Sequence, residues 1–187
     1  MPIESKTNNH HVGWIEIICG GMFSGKTKEL INRIKTAEAA QQKVAIFKPA
    51  VDTRYHADKI VSHDAAALDA KPINDAKMML EGIEDLHIVA IDEVQFFSQD
   101  IIQVVEQLAN AGKRVIVAGL DMDYEGKPFG PMPSLLSVAN YITKLHALCV
   151  LCGAEASYSY RKITSKDQVV LGEKDKYEAR CRTCFNS

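Results

Sequence analysis

Short apolar runs recur along the first two-thirds of the chain, each bounded by polar or turn-forming residues. They have the near-continuous hydrophobicity of buried parallel strands and cover residues 14–19, 43–48, 87–91 and 114–120. Segments with apolar positions at helical spacing alternate with them, at residues 28–41, 75–80, 98–111 and 132–141. Ser98 is the predicted N-cap of the third helix and Gly112 marks its end. The alternation predicts an α/β domain with a mainly parallel sheet flanked by helices and ligands at the strands' carboxyl ends.

The turn between the first strand and the first helix has the spacing G-x-x-x-x-G-K-[ST]. This phosphate loop consists of Gly20, Gly21, Met22, Phe23, Ser24, Gly25, Lys26 and Thr27. Glycines let successive N–H groups turn toward phosphate oxygens, and the helix start adds partial positive charge. Lys26 is expected to reach the β- and γ-phosphates and the Thr27 hydroxyl to hold Mg²⁺. A chance glycine-rich turn is the alternative, but the flanking strand and helix favour a nucleoside triphosphate site and a P-loop NTPase (RecA-like) fold.

Two carboxylates follow the third apolar run. Asp92 and Glu93 stand where a buried parallel strand would deliver them to the carboxyl edge of the sheet. Asp92 is the expected partner of Thr27 in the magnesium shell, and Glu93 is positioned to take a proton from the group that attacks phosphorus. A strand that merely ends in two exposed acids is the alternative. The pair predicts phosphoryl transfer or hydrolysis without deciding between them.

Four of the five cysteines form two C-x₂-C pairs, Cys149 with Cys152 and Cys181 with Cys184. Two such pairs close together are typical of a tetrahedral four-cysteine zinc site. Disulfides are the alternative, but a reducing compartment disfavours them. A site closed by four thiolates has no position for a reactive water, so the zinc is expected to be structural. The remaining Cys19, at the end of an apolar strand, is expected to be a small buried residue.

The segment between the two cysteine pairs predicts a strand at 156–162, a return strand at 176–180 and a loop between them. The loop is polar or open apart from Val169, Val170 and Leu171. Pinned at its base, it is long enough to fold over a ligand. A surface hairpin without function is the alternative. Because so short a segment cannot build much of a core, the metal is expected to supply its folding energy.

Composition narrows the class of protein. With 187 residues and 47% apolar residues, the chain predicts one medium domain with a small appendage and excludes global disorder. With a formal charge of −2, the chain lacks the excess of basic residues that is typical of nucleic-acid-binding proteins. No apolar run approaches the length of about 18 residues typical of a membrane helix, and the polar start does not resemble a signal peptide. We therefore expect a cytoplasmic protein with a flexible tail at 1–12, a nucleotide-binding α/β domain at 13–147 and a zinc-binding domain at 148–187.

The ordered set of motifs resembles the cytosolic-type (type II) thymidine kinases. The resemblance runs from about Trp14 to the C-terminus. It rests on the phosphate loop, the two C-x₂-C pairs, Lys176-Tyr177 and the stretches 47–49, 52–55, 62–64, 92–97, 118–121 and 127–130. It implies Mg²⁺-dependent transfer of the γ-phosphoryl group of ATP to the 5′-hydroxyl of thymidine, giving dTMP for DNA synthesis. The C-terminal segment would then be a zinc-bound lasso.

The resemblance also implies roles for individual residues. Glu93 matches the general base, Arg54 an arginine near the transferring phosphate, and Asp52 a further nucleotide-site aspartate. The second nucleotide-contacting segment comprises Asp92, Glu93, Val94 and Gln95. The thymidine side comprises Phe96, Leu120, Tyr124, Phe129 and Tyr177, together with the lasso residues Gln168, Val169, Val170, Leu171 and Gly172. Tyr124 and Gln168 depart from the family's usual phenylalanine and aliphatic residue.

Relatives of this kind are tetramers, so the resemblance implies a homotetramer and feedback binding of dTTP. Two other classes are compatible with the phosphate loop. A small ATPase would use Glu93 to activate water, and turnover of ATP without nucleoside would indicate it. A nucleotide-binding regulator with a zinc interaction module would bind ATP without turnover.

Overall fold

A computed structural model of the chain describes residues 12–52, 59–61, 67–165, 167, 170 and 175–187. Its helices are α1 Lys26–Ala39, α2 Ile101–Asn110, α3 Met132–Val138 and α4 Arg182–Phe185, with short 3₁₀ helices at Ala76–Leu80 and Val94–Phe96. Its strands are β1 Trp14–Cys19, β2 Val44–Pro49, β3 Lys59–Val61, β4 Ala67–Asp69, β5 Lys71–Ile73, β6 Ile88–Ile91, β7 Arg114–Gly119, β8 Tyr141–Lys144, β9 Ala147–Leu148, β10 Glu155–Ala156, β11 Tyr158–Arg161 and β12 Tyr177–Arg180.

Six strands form one parallel sheet in the order β5-β2-β6-β7-β1-β8. Strands β1, β6 and β7 are buried almost throughout, which explains their continuous apolar sequence. All six strands run the same way, so β1, β6 and β7 deliver the phosphate loop, Asp92 and Leu120 to one edge. The parallel α/β fold predicted from the sequence is confirmed.

The sheet is covered on both faces. On one face α2, α3 and the 3₁₀ helix at Ala76–Leu80 pack over a core that includes Ile17, Val89 and Val117. On the other face α1 and the β3–β4 pair cover alternate residues of the same strands, among them Ile18, Ala90 and Ile116. Successive residues of a strand point to opposite faces of the sheet, so the residues of one apolar run pack alternately into the two cores.

Several predicted boundaries differ from the structure. The predicted helix at 75–80 is a 3₁₀ helix of 5 residues, Ala76–Leu80, capped by Asp75, whose side chain accepts a hydrogen bond from the Lys77 N–H. Ser98 is not the N-cap of α2, since the helix begins at Ile101 after Asp100. Helix α1 begins at Lys26, directly after the left-handed Gly25, and not at residue 28.

The predicted helix 132–141 was wrong at its C-terminal end. Helix α3 ends at Val138, Ala139 is extended, and Tyr141–Lys144 forms the edge strand β8 beside β1. An edge strand pairs on one side only and is largely exposed here, so its sequence lacks the continuous apolar run of a central strand.

The described residues of the C-terminal module, which spans 147–187, form two small antiparallel sheets, β9–β10 and β11–β12, and the short helix α4. The predicted strand at 156–162 and its return at 176–180 are found as β11 and β12, except that Ala156 belongs to β10 and that Lys162 and Lys176 lie just outside the strands. The Lys162 N–H donates to the Lys176 carbonyl at 2.8 Å, which closes the base of the loop between them. In the described part of the chain, no helix has the length and apolar character needed to cross a membrane.

Candidate active site and cysteine cluster

The phosphate loop connects β1 to α1 with a backbone that is left-handed at several points. Gly25, immediately before α1, has φ 88°, and Phe23 has φ 64°. Gly20 has φ 144°, and a Cβ there would lie 2.2 Å from the Leu145 carbonyl oxygen. Only glycine fits position 20, because its backbone conformation and its close neighbour both exclude a side chain.

Lys26 and Thr27 begin α1 at this edge of the sheet. Lys26 is buried, and its Nζ donates to the Gly21 carbonyl oxygen at 2.8 Å. The Thr27 hydroxyl donates to Asp92 Oδ2 at 3.1 Å. The phosphate loop and the end of β6 therefore meet, as expected from the shared carboxyl edge of a parallel sheet.

Asp92 is buried beside a second carboxylate. Burial, with the charge of Glu93 as a further cause, raises the pKa of Asp92 to about 7. Hydrogen bonds from the Glu93 N–H and from Thr27 act in the opposite direction. A divalent cation would favour the ionised form, and the Thr27 hydroxyl with the Asp92 carboxylate is the oxygen donor set that Mg²⁺ prefers.

Glu93 is held by a relay through Gln95. Glu93 has φ 52°, a strained conformation for a residue with a side chain. Its Oε2 accepts a hydrogen bond of 2.5 Å from Gln95 Nε2, and Gln95 Oε1 accepts one of 2.9 Å from the Leu120 N–H. The relay fixes the Glu93 carboxylate against the end of β7.

Gln95 itself is 2% exposed and closely packed. A Cβ on Gly119 would lie 2.8 Å from Gln95 Oε1, and one on Gly130 2.4 Å from the Gln95 carbonyl oxygen. The resemblance places Gln95 in a nucleotide-contacting segment; in the fold its amide is buried behind Glu93. Reasoning from sequence missed this role, although glycines at 119 and 130 are the signal of a close neighbour.

The expected apolar wall is partly assembled beside Glu93. Phe96 and Phe129 meet edge to face with ring centres 5.8 Å apart, and Leu120 is buried after β7. Tyr124 faces the C-terminal module, where Arg161 Cζ lies 3.4 Å from the centre of its ring.

Arg161 is a functional candidate that the sequence reasoning did not find. It is 8% exposed, its Nε donates to the Tyr177 hydroxyl at 3.2 Å, and its guanidinium donates to the Asp167 carbonyl at 2.6 Å. The Tyr177 hydroxyl donates to the Val170 carbonyl oxygen at 2.9 Å. Arg161 thus joins Tyr124, Tyr177 and the loop. Nothing in the local sequence distinguishes it from a surface arginine.

Some expected site residues lie outside the described residues: Arg54, Gln168, Val169, Leu171 and Gly172. Asp52 is described and buried, and its Oδ2 lies 3.8 Å from the ammonium of Lys48. Lys48 is 2% exposed and also donates to the Lys59 carbonyl at 3.1 Å. The buried ion pair anchors the chain after β2.

The four paired cysteines converge in the C-terminal module. The Sγ atoms of Cys149, Cys152, Cys181 and Cys184 all lie within 4.8 Å of one another. Cys152 and Cys181 have their sulfurs 3.6 Å apart, much longer than a disulfide bond of about 2.05 Å. Zinc–sulfur bonds of about 2.3 Å in a tetrahedron require sulfurs about 3.8 Å apart. The cluster therefore fits a zinc ion.

The protonation of the cluster is consistent with a cation site. The backbone N–H of Cys181 is the main cause that lowers the pKa of Cys149 to about 6, while a hydrogen bond to Cys181 raises the pKa of Cys184 to about 12. Thiolates this close repel one another, so all four ionise only with a cation among them. Cys19 is 1% exposed at the end of β1, as expected for a buried structural residue.

The fold and this edge of the sheet define a P-loop nucleotide-binding protein with an appended four-cysteine module. The thymidine kinase family model matches residues 13–185, and the chain belongs to that family. It is 51% identical to a thymidine kinase of Rhodothermus sp. (strain ITI 518), over 99% of this chain and 88% of that protein. It is 52% identical to one of Bacteroides fragilis (strain YCH46), over 92% and 87%, and 48% identical to one of Porphyromonas gingivalis (strain ATCC 33277), over 95% and 89%.

Proposed function

We propose that this chain is an ATP-dependent thymidine kinase that transfers the γ-phosphoryl group of ATP to the thymidine 5′-hydroxyl, with Glu93 as the general base. Membership of the thymidine kinase family supports the reaction. The observation that carries the mechanism is the arrangement at the end of β6, where Glu93 follows the Asp92 carboxylate that contacts Thr27. A base and a metal-binding pair at one strand end are the parts that phosphoryl transfer needs.

The phosphate side of the reaction belongs to the phosphate loop and β6. Loop N–H groups and the start of α1 bind the triphosphate, and Lys26 offsets the charge that develops on the transferring group. Thr27 and Asp92 would hold Mg²⁺, which would neutralise part of the negative charge of the triphosphate. Arg54 is proposed as a second cation that offsets the charge on the transferring group.

The proton is handled by Glu93. The hydrogen bond from Gln95 points the Glu93 carboxylate toward the end of β7, where Leu120 and Phe129 begin the apolar wall. A 5′-hydroxyl placed there would give its proton to Glu93 as its oxygen bonds to the γ-phosphorus, while the bond from that phosphorus to the bridging oxygen breaks and ADP leaves. The hydrogen bond from Gln95 to Glu93 Oε2 holds the carboxylate in place for this transfer.

The thymine base would lie against Phe96, Leu120, Phe129 and Tyr124, with Tyr177 and residues 168–172 closing over it. The hydrogen bond from Tyr177 to Val170 and the stacking of Arg161 on Tyr124 support this placement, because they join the wall to the loop. Closure excludes water, which favours transfer to the nucleoside over hydrolysis of ATP.

The four-cysteine cluster is proposed as a structural zinc site. Four thiolates complete a tetrahedron, so no coordination position remains for water. Several further points remain proposals that the family resemblance supports. For the chain itself, they are a tail at 1–12, a division into 13–147 and 148–187, and a homotetramer. For its role, they are feedback by dTTP, a cytoplasmic location and a place in nucleoside salvage.

Replacement of Glu93 by glutamine tests the mechanism. Glu93→Gln keeps the size of the side chain but cannot accept the proton, so thymidine phosphorylation should fall by about 10²–10⁴-fold. Affinities for thymidine and MgATP should change little. Product formation with each of the four deoxynucleosides, together with binding measurements, provides the readout.

Glu106→Gln, an exposed position on α2, is the matched control and should keep full activity. Full activity of Glu93→Gln would remove the base assignment. Fast ATP hydrolysis by the wild type without thymidine, lost in the same variant, would instead assign Glu93 to water activation and the chain to the ATPases.

A further inference from the structure

One face of the β11–β12 hairpin is turned toward the proposed active site. Directly opposite residues of an antiparallel pair lie on the same face, so Ser159, Arg161, Tyr177 and Ala179 share one face, and all four are buried. The Ser159 hydroxyl shows where this face points, because it accepts a hydrogen bond of 2.9 Å from the Met22 N–H of the phosphate loop. Arg161 is therefore buried on the side of the hairpin that faces the site.

Arg161 connects three separate segments from this position. Its Nη1 donates to the Asp167 carbonyl oxygen at 2.6 Å, its Nε donates to the Tyr177 hydroxyl at 3.2 Å, and its Cζ lies 3.4 Å from the centre of the Tyr124 ring. A buried cation is unfavourable unless polar or aromatic groups replace its water, and these groups do so. A planar guanidinium can donate along its edge while its face stacks on a ring, which a lysine ammonium cannot do.

The hydrogen bond to Tyr177 also fixes the direction of a proton. Arg161 Nε can only donate, so the Tyr177 hydroxyl accepts from it and directs its own single proton to the Val170 carbonyl oxygen, 2.9 Å away. On Tyr124 the guanidinium covers one face of the ring, so only the opposite face can receive a flat base. Arg161 thus determines the orientation of both tyrosines.

We propose that Arg161 is a positioning residue for thymidine. It acts through Tyr124, whose ring it holds in place for stacking on thymine, and through Tyr177, whose hydroxyl it orients. A ring that is held in its binding orientation before the ligand arrives lowers the entropic cost of binding. The inference rests on the proposed function and deepens it, because it names the residue that orders the nucleoside side of the site.

The test is binding of thymidine to the full-length, zinc-loaded protein, measured by calorimetry. Arg161→Lys keeps the charge but loses the planar group, so the Kd for thymidine should rise about tenfold, as expected for one lost hydrogen bond to a charged group. In steady-state kinetics the KM for thymidine should rise by about the same factor, while kcat and the KM for ATP stay within about twofold. A merely structural defect would change all three.

Arg180→Lys is the matched control. Arg180 also stacks on a tyrosine, with its Cζ 3.3 Å from the centre of the Tyr160 ring, but it lies on the face of the hairpin opposite Arg161. Its Nη1 donates to the Cys184 carbonyl oxygen at 3.2 Å. This variant should bind thymidine and MgATP like the wild type. Zinc content, measured on every variant, should equal that of the wild type.

A double-mutant cycle tests the route through Tyr177. Tyr177→Phe removes the hydroxyl that Arg161 orients, so this substitution and Arg161→Lys disturb the same hydrogen bond. The variant with both substitutions should therefore bind thymidine at least about threefold more tightly than the product of the two single losses predicts.

Unchanged thymidine affinity in Arg161→Lys would overturn the proposal. An equal loss in Arg180→Lys would also overturn it, because any disturbance of the hairpin would then suffice, and so would fully additive losses in the cycle. Failure of the kinase assignment is distinguishable. A wild type that binds thymidine without phosphorylating it would remove that assignment, whereas the difference in thymidine affinity between Arg161→Lys and Arg180→Lys would be unaffected.

Discussion

The two halves of the proposed active site are held in place by different means. The phosphate side lies at the edge of a sheet with a buried cluster of 20 residues on one face and 11 on the other. The nucleoside side belongs to a module in which the described residues form a buried apolar cluster of four members, three alanines and Cys149. Burying so little apolar surface cannot offset the entropy of ordering about 40 residues.

If the proposed sites are correct, apolar burial positions the ATP site and zinc binding positions the thymidine site. Structural zinc in small domains contributes about 10–16 kcal/mol of apparent binding free energy, which is also folding free energy. The α/β sheet does not need metal binding to supply its folding free energy. Losing the metal and damaging the phosphate loop should therefore have separable consequences.

The largest effect is expected from Cys181→Ser, which removes one of the four proposed zinc ligands. Zinc should fall below one ion per chain, and thymidine binding and phosphoryl transfer should be lost because the module no longer folds. The helical circular dichroism of the α/β domain should persist, with some MgATP binding. Elemental analysis and calorimetry provide the measurements.

Cys19→Ala removes the cysteine outside the cluster and should leave zinc content unchanged. A metal-free wild type with full activity, purified without chelators, would contradict the division of roles between burial and metal.

Lys26→Ala damages the opposite half. Turnover should fall by at least about 10²–10³-fold, because the cation that follows the γ-phosphate into the transition state is gone. Zinc content and the affinity for thymidine should not change. Steady-state kinetics and thymidine titration distinguish the two effects.

Lys28→Ala, two residues further on and exposed, is the control and should be near wild type. Near-normal turnover of Lys26→Ala would show that the phosphate loop is wrongly assigned.

The smallest effect concerns the stability of the α/β domain. Glu16 on β1 is 7% exposed and accepts hydrogen bonds from Trp14, Arg33 and Arg114. Burial raises the pKa of Glu16, but these hydrogen bonds and the charge of Arg114 outweigh it and lower the pKa below 4.5. The stabilisation is therefore present at pH 7 and is lost as the pH falls through the pKa of the folded state.

Glu16→Gln should lower the free energy of unfolding by about 1–2 kcal/mol at pH 7, and by less near pH 3. Denaturant unfolding at the two pH values is the measurement, with the exposed Glu38→Gln as control. Zinc content and the KM for thymidine should be unchanged. Loss of zinc in Glu16→Gln would show that the two halves do not fold independently.

Much of the phosphate side could be predicted because its signals are local. The spacing of the phosphate loop and the apolar run before Asp92 each lie within one element, and parallel strands bring their ends to one edge. The contact between Thr27 and Asp92 follows from this rule without further information. The cysteine spacing likewise predicts the convergence of four sulfurs.

Other features depend on how separate elements pack. The strand β8 has no strong pattern of its own, since it pairs with β1 alone and is mostly exposed. The buried amide of Gln95 acquires its role only because β6 and β7 end side by side. Arg161 reaches Tyr124 only because β11 lies against the turn after β7.

The sequence by itself therefore determined the parallel α/β class, the phosphate loop with Asp92 and Glu93, and the four-cysteine cluster. Those properties follow from periodicity and short spacings, which local chemistry dictates. Tertiary structure decided the relay from Leu120 through Gln95 to Glu93 and the contact of Ser159 with Met22. The Leu120–Gln95 and Met22–Ser159 hydrogen bonds join residues 25 and 137 positions apart, and only packing of separate elements brings such groups within reach.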